Sequence, residues 1–306
     1  MTKFQLTCHI FLLTYVVLSS SAPLEIELNT LRLPKNTAPR SYNIQLNPDI
    51  DNENFTFTGA STVTFDVLQP TNIITVHVSR LIEIDENYTQ IVYKSGVKEK
   101  PVSQEWNKNW ELFHVKFNQI LQKGSYKIEF KWKGVESVDY TNVLKQGFLR
   151  RKISDGRYVV AAQLKPRGAR SVFPCWDEPG YRAEFKISMK HHPKYVAISN
   201  MPIEKTAAAD DGKIWTAFEK TPALSPHMIN FVVGPYSKVT NEYRNVTLWT
   251  LGDEVQQMAF IQKLSPLMAR ELERYTGIEY PLPVLNNIYV PKYPRGANDH
   301  FGINIF

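Results

Sequence analysis

Histidines are the side chains of this sequence best suited to hold a catalytic metal ion, because two of them at helical spacing form the usual zinc site. The chain has seven: His9, His77, His114, His191, His192, His227 and His300. None of them begins a His-Glu-x-x-His pattern. His191 and His192 are adjacent, so on a strand they point to opposite faces and cannot easily share one ion. The sequence therefore predicts no metal site, and it shows no glycine-rich phosphate loop or nucleophile elbow.

A thiol and two adjacent carboxylates lie close together in the sequence, at Cys175, Asp177 and Glu178. Cys175 stands between a proline and a tryptophan, a setting that favours a buried structural thiol over a nucleophile. The carboxylates precede a proline in a turn-like stretch, where such side chains usually form structural hydrogen bonds. We interpret all three residues as structural.

The elements that would position these groups are mostly strands. Between residues 23 and 235, short alternating runs rich in β-branched and aromatic residues recur between Pro, Asn, Asp or Gly. The clearest alternation is Tyr126–Trp132. Closely spaced strands with no helical pattern between them predict an antiparallel β-sandwich or saddle. The predicted fold class is mostly β, with an N-terminal β domain over 23–235.

The pattern changes in the last part of the chain. Residues 246–251 still fit a strand, and Asp253 is then a candidate N-cap of an amphipathic helix. Pro266 is expected to kink or divide this helix, and Gly277 to end it. We predict a second domain over 236–306, the truncated start of an α+β domain, because so short a segment buries little apolar surface alone.

Composition and charge exclude several classes of protein. The 306 residues are 43% hydrophobic and 22% charged, so the chain is neither disordered nor collagen-like nor a coiled coil. Basic residues number 36 and acidic residues 30, and the net charge of +6 is spread along the sequence. We interpret the densest basic cluster, Arg150-Arg151-Lys152, as a solvated face. Nucleic acid is therefore not an expected partner.

The N-terminus has the layout of a secretory signal peptide. Lys3 gives a weakly basic start, residues 10–18 form an apolar core, and small residues follow. We predict a signal peptide over 1–22; a signal anchor is the alternative, although the apolar core is short for a membrane span. Cleavage would also remove Cys8, which leaves Cys175 alone and no internal disulfide.

Three acceptor patterns for N-glycosylation agree with secretion. They begin at Asn54, Asn87 and Asn245. Because such patterns matter only in a chain that enters the secretory pathway, we expect an extracellular or cell-surface location.

Four segments, in this order, resemble those of the M1-family zinc aminopeptidases. They are Arg32–Pro34, the block Gln163–Pro179, Tyr280–Pro283 and Gly296–Gly302. The match is most specific in the block, where Ala169–Pro179 reads Ala-Arg-Ser-Val-Phe-Pro-Cys-Trp-Asp-Glu-Pro. The last segment reads Gly-Ala-Asn-Asp-His-Phe-Gly, at the place of the family's Gly-Ala-Met-Glu-Asn-Trp-Gly. The resemblance covers nearly the whole chain after the signal segment.

This resemblance implies a β-rich N-terminal domain followed by the start of a thermolysin-like catalytic domain. It also implies that peptide N-termini are the substrates and that a zinc ion activates water for hydrolysis. In the family, a glutamine of the block and a glutamate of the last motif hold the substrate α-amine, and the motif's Gly and Ala offer backbone groups. The corresponding substrate-binding residues here are Gln163, Gly296 and Ala297, with Asp299 at the position of the glutamate.

Several residues depart from the family pattern. Asp299 is one methylene shorter than Glu, and Lys165 inverts the charge at a position where Glu or Gln is usual. Asn298, His300 and Phe301 replace Met, Asn and Trp. The sequence stops before the position of the family's zinc-binding helix. We therefore expect this chain to lack the zinc ligands, the general base and the oxyanion tyrosine, and to be inactive alone.

Three hypotheses follow. The chain is the N-terminal part of a secreted or membrane-associated zinc aminopeptidase, or it is a catalytically inactive relative that binds peptides or a partner protein. The truncated sheet of the second domain favours the first, which we adopt, and the departures in the last motif favour the second, which is the alternative. An adhesion-like β module would fit the strand pattern but would leave the motifs unexplained.

Overall fold

The computed structural model describes residues 32–136, 146–240, 246–252, 259–294 and 296–306. The signal segment 1–22, Asn245 and Asp253 lie outside these ranges. The chain divides into two units, residues 1–35 and 36–306, and the second is compact. Every strand and helix of the described residues lies in the second unit.

The described residues form 21 strands and one α-helix. In chain order the strands are β1 (Thr37–Pro48), β2 (Thr56–Val67), β3 (Thr71–His77), β4 (Ile82–Ile84), β5 (Gln90–Val92), β6 (Lys98–Glu99), β7 (Ser103–Asn107), β8 (Leu112–Leu121), β9 (Gly124–Val135), β10 (Gly147–Lys152), β11 (Tyr158–Gln163), β12 (Glu184–His191), β13 (Val196–Ser199), β14 (Ile203–Ala208), β15 (Ile214–Phe218), β16 (Phe231–Gly234), β17 (Tyr236–Thr240), β18 (Val246–Leu251), β19 (Leu285–Ile288), β20 (Asn298–His300) and β21 (Ile303–Ile305). The helix α1 covers Ala259–Thr276, and short 3-10 turns cover Ala169–Ser171 and Pro226–Met228.

These strands assemble into four sheets. The largest has nine strands in the order β14-β15-β12-β1-β2-β9-β5-β6, with β4 also paired to β9. The others are ordered β10-β11-β16-β13, β3-β8-β7 and β17-β18-β19-β21-β20. The β1–β12, β18–β19 and β19–β21 pairs are parallel, and the other described pairs are antiparallel. The mostly β class with antiparallel sheets is confirmed, whereas the parallel pairs were not predicted.

The centre of the nine-stranded sheet depends on two glycines that lie opposite aromatic residues. In the β2–β9 register Gly59 faces Trp132, and Phe57 faces Gly134. A Cβ added at either glycine would lie 2.2 Å from the facing ring. Each ring therefore covers the glycine of the neighbouring strand, and a larger residue would displace it.

Aromatic rings also pack against each other within the nine-stranded and four-stranded sheets and between them. The Phe148 ring on β10 lies 4.5 Å from the Phe57 ring and 5.3 Å from the Phe231 ring on β16, measured between centroids. Tyr42 on β1 stacks on Phe185 of β12 at 4.6 Å. Each such pair contributes about 0.5–1.5 kcal/mol beyond the area that it buries.

The four-stranded and five-stranded sheets share a second hydrophobic core. Buried residues from both sheets and from the loop after β19 form it: Leu149, Val159, Ala161, Ile198, Val232, Tyr236, Leu251, Ile288, Val290, Tyr293, Ile303 and Ile305. The expected domain boundary at 235/236 falls between β16 and β17, and it stays a prediction.

Helix α1 is continuous through Pro266, so this proline does not divide the helix, and the expected kink stays a prediction. A proline removes one backbone hydrogen bond of a helix and strains the turn before it. The helix ends as predicted: Gly277 has φ of +68°, and its N–H donates to the Glu273 carbonyl at 2.8 Å. Among the described residues no helix combines the length and the apolar character needed to cross a bilayer.

The basic cluster on β10 is less exposed to solvent than expected. Arg150 is half-buried, donates to backbone carbonyls within residues 50–53, and lies 4.5 Å above the Tyr158 ring. Arg151 is also half-buried, and only Lys152 is exposed. The interpretation as a solvated face was wrong for both arginines, because carbonyl oxygens and an aromatic face satisfy Arg150 in place of water.

Candidate functional site

Two remote segments of the chain meet at the candidate site. Gln163 is the last residue of β11, and Asn298 and Asp299 lie on β20. The contact between Gln163 and Asn298 joins residues 135 positions apart. The core shared by the four-stranded and five-stranded sheets sets this approach.

The amide of Gln163 is buried and held by neighbours from the later segment. Its Oε1 accepts hydrogen bonds from the Tyr293 hydroxyl at 2.9 Å and from the Asn298 side-chain amide. The Tyr293 hydroxyl also lies 2.9 Å from the Ala162 carbonyl, so its single proton is shared between two acceptors. Burial raises the pKa of Tyr293, which keeps the phenol protonated. Sequence reasoning missed Tyr293 and treated Asn298 only as a departure.

Asp299 is paired with Lys165. The lysine Nζ lies 3.1 Å from Asp299 Oδ1 and also donates to the Asp299 backbone carbonyl. The lysine side chain is 23% exposed and the aspartate side chain 92% exposed. The hydrogen bond from Lys165 lowers the pKa of Asp299, so the carboxylate is ionised near neutral pH and its charge is balanced within the chain.

Gly296 and Ala297, the two residues expected to offer backbone groups, are exposed and lie immediately before β20. Gly296 has φ of +76°, a left-handed conformation that favours glycine, and its N–H donates to the Tyr293 carbonyl at 3.3 Å. No other described atom lies within 4 Å of a Cβ built on Gly296. Among the described residues, nothing covers the chain at this point.

His300 is buried beside this ion pair. Within the described residues neither ring nitrogen makes a hydrogen bond of normal geometry. Burial lowers the pKa of His300 to about 3, and the Lys165 ammonium adds to that shift. The imidazole is therefore neutral at physiological pH.

The end of the last motif is fixed by contacts with Tyr280 and Asn200. The Gly302 N–H donates to the Tyr280 hydroxyl at 2.7 Å, and the Asn200 amide donates to the Phe301 carbonyl at 2.6 Å. Gly302 has φ of +79°, and an added Cβ would lie 1.9 Å from the Asn200 carbonyl oxygen. Tyr280, from another segment of the family resemblance, therefore has a positioning role here.

The block that carries the most specific resemblance lies in the core. Arg170 Nε is 2.9 Å from Asp177 Oδ2, and the Asp177 N–H donates to His77 Nδ1 at 3.2 Å. Burial raises the pKa of Asp177, and the Arg170 guanidinium opposes that shift. Cys175 is free and fully buried, and burial raises the pKa of its thiol. The structural interpretation of Cys175 and Asp177 is confirmed.

Possible metal ligands do not gather in the part of the chain that the structure describes. No group of three or more His, Cys, Asp or Glu side chains is placed to hold an ion there. These residues therefore do not fit the zinc ion that the family resemblance implies.

Comparison with known proteins supports the family resemblance of the segments described above. A family model, the peptidase M1 N-terminal domain, matches residues 38–228. Endoplasmic reticulum aminopeptidase 1 of Rattus norvegicus is 26% identical over 282 residues, which cover 91% of this chain and 30% of the relative. Aminopeptidase M1-A of Oryza sativa subsp. japonica is 29% identical, over 89% of this chain and 31% of the relative.

A third relative, aminopeptidase Ey of Gallus gallus, is 29% identical over 298 residues, covering 90% of this chain and 30% of its own length. The chain thus spans less than a third of the length of these relatives. The family match covers well over half of the chain and includes the whole of the block with the buried Arg170–Asp177 pair. The chain belongs to the M1 peptidase family, whose N-terminal domain it carries.

Proposed function

We propose that this chain forms the part of an M1-type aminopeptidase that receives the amino end of a peptide. The observation that supports it is the meeting of Gln163 with β20, next to the exposed backbone of Gly296 and Ala297. Gln163 anchors the strand, and the open backbone can pair with an extended peptide. Hydrolysis by the family mechanism would need a zinc ion and a general base, so we expect this chain alone to release no residue from an aminoacyl substrate.

Peptide binding tests this proposal. A short peptide labelled at its C-terminal end is titrated with the chain, and its fluorescence anisotropy is followed. The variant Ala297→Trp should weaken binding at least about tenfold, a loss of about 1.4 kcal/mol, because the indole would cover the exposed backbone. Ala207→Trp, at an exposed alanine on β14, is the matched control and should bind as the parent does. Equal binding by both variants, or none by the parent, would contradict the proposal.

A second candidate is a protein of this family that binds peptides or a partner protein without hydrolysis. The Lys165–Asp299 ion pair favours it, since the carboxylate placed for an amine is already neutralised. The zinc content of the native protein separates the two candidates. One tightly bound zinc per molecule with release of N-terminal residues supports the peptidase, and binding without zinc supports the second candidate.

We also propose that the protein enters the secretory pathway and is glycosylated at Asn54, Asn87 and Asn245. Asn54 and Asn87 are exposed, and one relative carries the endoplasmic reticulum in its name. Enzymatic deglycosylation of the protein from secreting cells should reduce its mass, and Asn87→Gln should remove the mass of one glycan. An unmodified protein that retains residues 1–22 would contradict this proposal.

A further inference from the structure

The carboxylate of Asp299 is occupied by a cation of the same chain. Lys165 Nζ donates to Asp299 Oδ1 at 3.1 Å and to the Asp299 backbone carbonyl. A peptide α-ammonium that approached this carboxylate would seek the same acceptors, since both groups are compact ammonium ions with three donors. The lysine therefore makes the contacts for which an incoming amine must compete.

The backbone around Lys165 fixes the position of its ammonium. The Gln146 side-chain amide donates to the Lys165 carbonyl at 3.2 Å, and the Gly168 N–H donates to the Leu164 carbonyl at 2.8 Å. The lysine side chain is only 23% exposed, so most of its aliphatic stem is packed against the protein. Because turn and stem are already ordered, the ion pair costs less side-chain entropy than a pair between two free surface side chains.

Among the described residues, the groups nearest the pair offer no net charge to an amine at neutral pH. Lys165 and Asp299 cancel, and burial keeps two neighbouring imidazoles neutral by lowering the pKa of His300 to about 3 and by lowering the pKa of His227. Without the lysine, the same place would present one negative charge.

On the basis of the proposed function, we propose that Lys165 determines the specificity of this site. Because its ammonium occupies the carboxylate, the site does not require a free α-ammonium. It takes peptides with a blocked, uncharged amino end as well as peptides with a free one. Whether the site selects a charged amine then depends on the presence of the Lys165 side chain. The ligand class is an extended peptide end held through backbone contacts near Gly296 and Ala297.

The test compares two peptides of one sequence, one with a free amino terminus and one N-acetylated. Isothermal titration measures their binding to the parent chain, to Lys165→Gln, and to Lys165→Gln combined with Asp299→Asn. Lys220→Gln is the matched control, because Lys220 forms an exposed ion pair with Glu184 at 2.9 Å on the nine-stranded sheet. Circular dichroism confirms that each variant is folded.

We expect the parent and Lys220→Gln to bind both peptides with affinities within about twofold of each other, the low end of what an exposed ion pair contributes. Lys165→Gln should bind the free peptide about 2- to 5-fold more tightly than the parent does, with the acetylated peptide unchanged. Adding Asp299→Asn should abolish that gain.

Two results would overturn the inference and leave the proposed function standing: a parent that already strongly prefers the free peptide, or a Lys165→Gln variant that shows no change. Failure of every protein to bind either peptide would overturn both.

Discussion

Two of the segments that resemble the family have different surroundings. In Ala169–Pro179 the side chains of Phe173, Cys175 and Trp176 are fully buried between the sheets. In Gly296–Gly302 the first two residues and Asp299 are exposed. The first segment keeps the family's pattern and the second departs from it. In this chain, the sequence by which the family is recognised is therefore largely a requirement of core packing, whereas the acidic residue expected to hold the substrate amine, Asp299, and its neighbours in the last motif have changed.

The ion pairs of the two segments show the same contrast. The Arg170 and Asp177 side chains are 6% and 2% exposed, and Arg170 also contacts Glu111 at 3.1 Å. The Lys165 and Asp299 side chains are 23% and 92% exposed. Breaking a buried pair leaves an unpaired charge in the core, whereas water replaces the partner of an exposed one. The next experiments measure this difference.

The largest effect is expected from Arg170→Ala. The substitution leaves Asp177 buried without its guanidinium, which should lower the free energy of unfolding by about 3–5 kcal/mol. Urea unfolding followed by tryptophan fluorescence measures the loss. Asp177→Asn is the companion variant, and it should cost less because the amide still accepts a hydrogen bond from Arg170. A loss under about 1 kcal/mol, as for a surface pair, would mean that this segment is not a packing element.

A smaller difference is expected between two glycines of the last motif. Gly296 and Gly302 both have positive φ, so alanine is strained at either position by about 1–2 kcal/mol. Only at Gly302 would the new Cβ also meet a backbone oxygen, that of Asn200 at 1.9 Å. Gly302→Ala should therefore destabilise the chain by about 1–3 kcal/mol more than Gly296→Ala does, because overpacking adds to the strain. Thermal unfolding of both variants checks this, and equal losses would show that the motif's end is as open as its start.

One buried histidine in each region provides a comparison by pH. Burial lowers the pKa of both His77 and His300 to about 3. The unfolded chain takes up these protons below a pKa of about 6.5, so the stability that the neutral rings provide is present above that pH and lost as the pH falls toward 3. Each histidine should steepen this loss by up to about 1.4 kcal/mol per pH unit.

The variants His77→Leu and His300→Leu separate the two contributions. Each should reduce the slope of stability against pH by the same amount. At pH 7, however, His77→Leu should cost about 1–3 kcal/mol because the Asp177 N–H loses its acceptor, whereas His300→Leu removes no hydrogen bond of normal geometry. Urea titrations from pH 7 to about pH 4 measure both quantities. If His300→Leu costs as much as His77→Leu, the contact of the imidazole with the Met228 backbone stabilises the fold as much as a normal hydrogen bond does.

The parts of the fold that were predictable are those set by local pattern. The alternation of Tyr126–Trp132 lies within β9, and Gly277 ends α1. The parallel pairing of β1 with β12 was not predictable, because alternation specifies which face is buried but not which distant strand is the neighbour. The expected division of α1 at Pro266 failed for a related reason. The rule that proline ends a helix is local, and the rest of the helix overrides it.

The candidate site was predictable only in part. The motif resemblance named Gln163 and Asp299, and it identified the unusual charge of Lys165, but not the contact between the last two. The opposite charges of Lys165 and of the acidic residue in the last motif could have indicated this contact. Tyr293 carries no motif, since a single tyrosine near prolines looks like any core residue, and only the shared core of two sheets brings its hydroxyl to Gln163.

The smallest effect is expected from Lys165→Gln, the counterpart of Arg170→Ala in the exposed region. Its cost in unfolding free energy should be under about 1 kcal/mol at pH 7, since water replaces the lysine around a carboxylate that is 92% exposed. Lys165 lowers the pKa of Asp299, so the pair stabilises the fold above the unfolded pKa of about 3.9 and this contribution is lost as the pH falls through the lower folded value. The parent and the variant should therefore become equally stable in acid, and the Asp299 carboxyl carbon, followed by NMR in Lys165→Gln, should titrate at a higher pH than in the parent. A large loss of stability in this variant would mean that Lys165 holds β20 in place as a structural residue, and that the contrast between the two segments is one of degree.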